Sequence, residues 1–210
     1  MNNVLGTQGY ERDVDRFVNV SQSLSFFEVC AEVIPFLPES PCRVLDIGSG
    51  AGQNAAALSQ LGHTVVAVEP MEAFRAAARS RYGDLTIAWI DDALPHLRKL
   101  DNEPAFDFVL VDAVWHHLDT DERDMALTRI FRLMKPGAHL ACSLRNGPSG
   151  LGSRVFPTEA ESTVMQARKL GLECALRKDN QASFLPGKED VLWSRLVFLK
   201  PVESGSVGKK

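Results

Sequence analysis

The chain has 210 residues, 45% of them apolar and 24% charged, which are the proportions of one soluble globular domain able to bury roughly 70% of its unfolded surface. A formal net charge of −4 gives no general attraction to nucleic acid or to an anionic membrane. No run approaches the ~18 apolar residues of a membrane span, and Cys30, Cys42, Cys142 and Cys174 have neither metal-ligand spacing nor a Cys-x-x-Cys pair. A cytoplasmic protein with reduced thiols and no metal site is expected.

Residues 1–41 precede the first strand. Met1–Asp15 is polar and lacks the apolar core of a signal peptide. Phe17, Val18, Val20, Leu24, Phe26, Phe27, Val29, Val33, Ile34 and Phe36 then recur at a broadly helical spacing, which Pro35, Pro38 and Pro41 break. This segment is expected to form a helical cap. From Arg43 onward, strands predicted near 43–47, 64–68, 86–90, 106–112 and 138–144 alternate with helices near 52–61, 71–81, 119–134 and 158–170. That alternation implies a parallel sheet with crossover helices on both faces. Lys135-Pro136-Gly137 reads as the stop of the third crossover helix. Two late strands, near 172–178 and 191–199, have little between them and predict a hairpin, hence an antiparallel strand at the sheet edge. The expected fold is a doubly wound, mostly parallel α/β sheet of seven strands over 42–200. Residues 201–210, rich in Ser, Gly and Lys, are expected to be a flexible tail.

The chemistry concentrates in Arg43-Val44-Leu45-Asp46-Ile47-Gly48-Ser49-Gly50-Ala51-Gly52, a buried strand that breaks into a glycine turn and then a helix. The next apolar run, Thr64–Val68, ends on Glu69. A strand, glycine turn, helix and acid-ended strand in that order build an adenosine-binding half-fold. Glycines let the backbone approach a ligand closely, and the Glu69 carboxylate suits two vicinal ribose hydroxyls. The dinucleotide fingerprint needs a third small residue where this chain has Gln53, and a pyrophosphate on a helix N-terminus wants no carboxylate beside it. Asp46 stands two residues before the first glycine. A ligand with an ammonium group tolerates that acid, and S-adenosylmethionine carries an ammonium, a sulfonium and no phosphate.

Five segments carry a family resemblance. Val44–Gly52 resembles the first motif of class I S-adenosylmethionine-dependent methyltransferases, Val68-Glu69-Pro70-Met71 the second, and Asp91-Asp92-Ala93-Leu94-Pro95 the third. Phe106–Ala113 resembles the fourth, and Leu133–Ala138 the turn before strand five. The resemblance spans about half of the chain. It implies that S-adenosylmethionine is held by Asp46, Gly48, Ser49, Gly50 and Gly52, by Glu69, Pro70 and Met71, by Asp92 and Ala93, and by Asp112 and Ala113. The family's first acid helps hold the glycine loop and the ammonium, which Asp46 would do, either together with capping the following helix or instead of it. Asp92 aligns with the adenine amino contact, and Pro70 and Met71 with the adenine face. Asp112 ends strand four at the ligand end, whereas Asp107 begins it, roughly 16 Å away at ~3.3 Å per residue, and is expected to be structural.

On the acceptor side, alignment of nucleophile, methyl and sulfur supplies most of what methyl transfer needs, and a general base matters only for a protonated acceptor. His117 and His116, just past strand four, are the candidates; a helix cap or a core contact is the alternative for each. Arg145, in the loop after strand five, either clamps an acceptor carboxylate or phosphate or pairs with a local acid. Tyr10 and Phe17 of the N-terminal segment touch substrate or simply pack. Arg154, Asp179 and Gln181 are weaker candidates. Asp112-Ala113-Val114-Trp115 lacks the Asn/Asp-Pro-Pro-aromatic run of enzymes that methylate nucleic-acid bases or glutamine amides. A small-molecule acceptor, methylated at oxygen, nitrogen or sulfur, is therefore expected, with no nucleic-acid or membrane partner and no oligomeric state implied. Two other readings remain: a non-catalytic S-adenosylmethionine-binding regulatory or partner protein, and a nicotinamide-dependent oxidoreductase.

Overall fold

Short apolar runs separated by amphipathic ones give the alternation described here from a computed structural model, which describes residues 4–183, 185 and 187–202. The strands are β1 (Arg43–Ile47), β2 (Thr64–Val68), β3 (Ile87–Ile90), β4 (Phe106–Val111), β5 (Met134–Asn146), β6 (Glu173–Ala182) and β7 (Leu192–Leu199). The helices are α1 (Val14–Ser23), α2 (Phe26–Val29), α3 (Gln53–Gln60), α4 (Glu72–Tyr82), α5 (Thr120–Leu133) and α6 (Ala160–Lys169). Of the expected tail at 201–210, residues 203–210 lie outside the described residues, and no described helix is long and apolar enough to cross a membrane.

All seven strands form one sheet in the order β3-β2-β1-β4-β5-β7-β6. β1 to β5 are parallel to one another, and β7 is antiparallel to both β5 and β6. The predicted hairpin is present, with the reversed strand inserted between β5 and an outer β6. The chain runs outward through β1, β2 and β3 and returns to β4, so strand order reverses between β1 and β4. In such sheets the crevice beyond the carboxyl ends at the reversal is the ligand site.

The inner strands β2, β1, β4, β5 and β7 are buried on both faces, because side chains alternate and helices cover both sides, whereas outer β6 is largely exposed. Leu45, Ile47, Val109, Val111, Leu140 and Leu196 pack with α5 and α6 through Leu127, Ile130 and Val164. Val44, Ala67, Phe108, Leu110, Ala141 and Val197 pack with α2 and α3 through Phe26, Ala55 and Leu58. Asp46, Asp112, Ser143 and Arg145 share the parity of this second set.

Two elements differ from the sequence expectation. β5 begins at Met134 rather than 138: Met134 pairs with Phe106, and the register then slips so that Phe108 faces His139. The slip is braced by Gly137, at φ +83°, whose N–H donates to the Lys200 carbonyl. β6 continues to Ala182, past its expected end near 178, while the expected helical cap consists of α1, α2 and three short 3-10 turns. Asp13 sets the start of α1 by accepting from the Arg16 N–H, the usual N-cap arrangement. α5 starts after a capping box, in which Asp119 and Glu122 bond each other's backbone N–H.

Candidate active site

The glycine turn leaves β1 with its N–H groups turned back into the sheet: Gly48 and Ser49 both donate to the Val68 carbonyl, at 2.7 and 3.0 Å. Glycine is required here for two separate reasons. At Gly48 a Cβ would lie 2.2 Å from Val114 Cγ2, so the protein itself presses on the turn. At Gly50, where φ is +53°, the object in front is the Phe17 ring at 3.3 Å, which belongs to the N-terminal cap.

Three carboxylates face this turn. Asp46 is 1% exposed, and its Oδ2 is buried with no partner. Burial, reinforced by Asp112 and Glu69, pushes its carboxyl up to about 8 against a backbone amide at Ala55. Glu69 is 5% exposed; its Oε2 accepts from the Gly50 N–H at 3.0 Å and its Oε1 from the Met71 N–H at 2.8 Å. Burial raises it to about 7, opposed by those two amides and by Arg75. Asp112 accepts from Ser143 Oγ at 2.6 Å and from Asn54 Nδ2 at 3.3 Å. Ser143 Oγ also accepts from the N–H of Ala113, which sits at φ +58°, a backbone position uncommon for a residue with a Cβ. Among the described residues none of the three carboxylates has a basic side chain at ion-pair distance. Ser49 Oγ is a further buried atom without a partner.

The remaining cofactor-side residues are distributed around this centre. Pro70 and Met71 are half-buried beyond β2. Asp92 accepts from the Ala93 N–H at 2.8 Å and the Lys99 N–H at 2.6 Å, so it also ties its own loop. Asp91 is exposed and pairs with Arg75 and Lys99. Asp107 is at the opposite end of β4, where Lys135 and the Arg43 N–H hold it.

The N-terminal segment closes over the mouth. Phe17 stacks on Phe74 with centroids 4.4 Å apart, Tyr10 meets both edge-on, and Gln22 donates to the Ala51 carbonyl. The Tyr10 hydroxyl lies 2.9 Å from His117 Nε2, and His117 Nδ1 lies 2.7 Å from the Arg154 carbonyl. A carbonyl only accepts, so Nδ1 carries the hydrogen and Nε2 takes the Tyr10 proton as acceptor. Burial lowers His117 and drives His116 down to about 2, leaving both neutral at working pH. Burial raises Tyr10 to about 12, with Glu69 adding to the rise and Arg145 opposing it, so all three share one neighbourhood. His116 has its Nδ1 buried and unpartnered and meets Trp193 edge-on at 6.2 Å. Arg154 is not part of the mouth: it pairs with Asp119 and Glu122 and donates to the His117 carbonyl. Asp179 and Gln181 lie on outer β6, with Asp179 paired to Arg177.

The sequence reading passed over Arg75, Asn54, Ser143 and Trp193. Arg75 is 5% exposed and braces Glu69 by donating to its carbonyl. Its only signal was the Glu72-Arg75-Arg79 ladder on α4, which resembles an ordinary solvent face. Asn54 and Ser143 become functional candidates only once β1, β4 and β5 are known to be adjacent.

Comparison with known proteins adds a family and several relatives. Residues 45–142 match the family described as "Methyltransferase domain". The chain is 25% identical over 161 residues to an uncharacterized methyltransferase of Oceanobacillus iheyensis, covering 76% of this chain and 68% of that one. It is 34% identical over 105 residues to the ubiquinone biosynthesis O-methyltransferase of Bradyrhizobium diazoefficiens, covering 50% of this chain and 40% of the other. Among solved structures it resembles the 1,6-didemethyltoxoflavin-N1-methyltransferase of Burkholderia thailandensis, crystallised with 1,6-didemethyltoxoflavin and S-adenosylhomocysteine. That match has a TM-score of 0.69 at 18% identity and covers 93% of this chain and 85% of that chain.

Proposed function

We propose that residues 45–142, which match the methyltransferase-domain family, bind S-adenosylmethionine, and that the protein methylates a small-molecule acceptor at oxygen, nitrogen or sulfur by direct in-line transfer. The carrying observation is the set of buried carboxylates without a cation. Asp46 Oδ2 and Ser49 Oγ have no partner, and burial, then the charges of Asp112 and Glu69, raise Asp46 to about 8. A cationic ligand relieves that arrangement, whereas a phosphate ester would aggravate it.

The residues fit the cofactor that the domain implies. Asp46 would hold the ammonium beside the turn at Gly48, Ser49, Gly50 and Gly52. Glu69 keeps a free lone pair on each oxygen beyond the bonds from Gly50 and Met71, enough for two ribose hydroxyls. Pro70 and Met71, with Asp92 and Ala93, would flank the adenine; Asp112 and Ala113, braced by Ser143, would border the methionine part. The bound cofactor supplies a methyl group on a sulfonium, already a strong electrophile.

The protein's own task is then alignment, exclusion of water and custody of one proton. Tyr10, Phe17 and Phe74 cover the mouth and keep water from it. His117, held as the Nδ1–H tautomer by the Arg154 carbonyl, offers Nε2 as the proton acceptor. Tyr10 hands its hydroxyl proton to Nε2 as it takes the acceptor's, so the phenol ends unchanged and the imidazole ends charged. An acceptor that arrives deprotonated bypasses this step.

Calorimetry with S-adenosylhomocysteine and with NAD tests the reading. Binding of the first alone, together with transfer of labelled methyl to a metabolite pool, supports it; binding of NAD alone refutes it. One observation favours a non-catalytic cofactor-binding protein instead: aromatic rings already fill the mouth at Gly50. Turnover of labelled cofactor on any small acceptor rules that out.

A further inference from the structure

Arg145 lies at the carboxyl end of β5, directly opposite Trp193 of β7. Only 8% exposed, it donates from Nη2 to the Pro148 carbonyl at 2.6 Å and leaves Nη1 buried without a partner. No carboxylate is within ion-pair distance among the described residues, so the local acid that would make Arg145 merely structural is missing. Arg195, opposite Ser143 and thus two positions along the same face, repeats the pattern. It is 6% exposed, lies over the Trp193 ring at 5.1 Å, makes one 3.5 Å bond to the Val29 carbonyl and has an unpartnered Nη1.

Other buried arginines are better satisfied. Arg75 has Glu72 and Asp91, and Arg123 two bonds to the carbonyls of Trp115 and Pro157, although each also leaves one nitrogen unpartnered. Two cations at diagonal positions with one weak bond or one carbonyl each, and no anion, are costly to bury. Burial also lowers the Arg145 guanidinium from its ordinary value, the direction expected of a cation that lacks a counter-ion.

The surroundings are flat and polar-edged. Trp193 meets His116 edge-on, and the Arg145 charge is felt at Tyr10, His116 and His117. We propose, resting on the methyltransferase reading above, that the acceptor is an aromatic or heteroaromatic carboxylate whose carboxylate pairs with Arg145 in the field of Arg195, beside the Trp193 and His116 rings. The carboxylate anchors the acceptor and is not the atom methylated, because a fork of two N–H bonds engages the lone pairs that would attack. The reacting atom is elsewhere on the ring, toward Tyr10 and His117.

The test uses full-length protein saturated with S-adenosylhomocysteine and, as probes, 4-hydroxybenzoate and its neutral isostere 4-hydroxybenzamide, followed by ligand-observed NMR. The acid is expected to bind about tenfold or more tighter than the amide. Arg145→Gln is expected to remove that preference while cofactor-product affinity holds, and Arg145→Lys to retain part of it. Wild-type protein that does not bind S-adenosylhomocysteine overturns both this proposal and the methyltransferase reading. Protein that binds it yet takes acid and amide equally, or neither, overturns this proposal alone. So does an Arg145→Gln protein that still prefers the acid; if that variant does not fold, the wild-type ratio decides.

Discussion

Replacing Asp46 with Asn should make the folded protein more stable in mild alkali while ruining its grip on the cofactor. Asp46 has a carboxyl raised from 3.8 to about 8, first by burial and then by Asp112 and Glu69. Between those values the folded chain keeps a proton that the unfolded chain has released, so stability falls as pH rises through that window. At ~1.4 kcal/mol per pH unit the ceiling is roughly 5 to 6 kcal/mol, and because neighbouring carboxylates share the same field about 2 to 3 kcal/mol is expected for the single change. Asp46→Asn removes the charge and keeps the shape. Urea unfolding at about pH 3.5 should find the two proteins nearly equal, and at about pH 8.5 the variant ahead by that margin. Glu69, raised to about 7, contributes to the pH dependence of both proteins, so their difference reports Asp46 together with its coupling to Glu69 and Asp112. The same variant should bind S-adenosylhomocysteine about a hundredfold more weakly. Parallel stability curves at all pH values, or undiminished affinity, would refute the account of an uncompensated acid awaiting a cation.

Four other outcomes follow from the same geometry. Glu69→Ala should cost about a hundredfold in S-adenosylhomocysteine affinity by calorimetry while the circular dichroism spectrum is retained. At Asp107 burial raises the carboxyl, but Lys135 and the Arg43 N–H outweigh it and the net direction is down. Its stabilisation is thus present above the ordinary carboxylate range and lost as pH falls, so Asp107→Asn should lower stability at neutral pH by about 1 kcal/mol and leave cofactor affinity unchanged. Tyr10→Phe should lower kcat by about ten- to a hundredfold for a protonated acceptor, with KM for S-adenosylmethionine little altered, read from initial rates across pH. Gly48→Ala places a methyl 2.2 Å from Val114 Cγ2 and should lower the unfolding midpoint by the equivalent of about 1 to 3 kcal/mol.

The strand and crossover pattern could be read directly because β1 to β4 and β7 are short, mainly apolar runs and the crossover helices amphipathic ones, with Gly and Pro between them. The first-strand acid, the glycine turn and Glu69 were equally legible, since all three lie within one local unit. What could not be read depends on tertiary adjacency. Ser143 and Asn54 meet Asp112 from strands and helices far apart in sequence. The early start of β5 hides behind Lys135-Pro136-Gly137, a run that punctuates most chains and here is absorbed as a bulge. The choice between a clamp and a local salt bridge for Arg145 rested wholly on whether an acid folds beside it, and pattern carries no trace of that. For Phe17 the sequence leaves substrate contact and simple packing open; its place over Gly50 comes from how α1 docks on α4.

The inserted position of β7 bears on how this chain is made. β6 hydrogen-bonds to no strand other than β7, so as synthesis proceeds from the N-terminus it emerges with nothing to zip against until Leu192–Leu199 has cleared the ribosome. Until then β5 presents an open flank, the kind of edge that recruits foreign strands. The nascent protein is therefore most exposed to aggregation between the emergence of β5 and that of β7, and truncations a few residues short of Leu199 should leave two strands adrift instead of one.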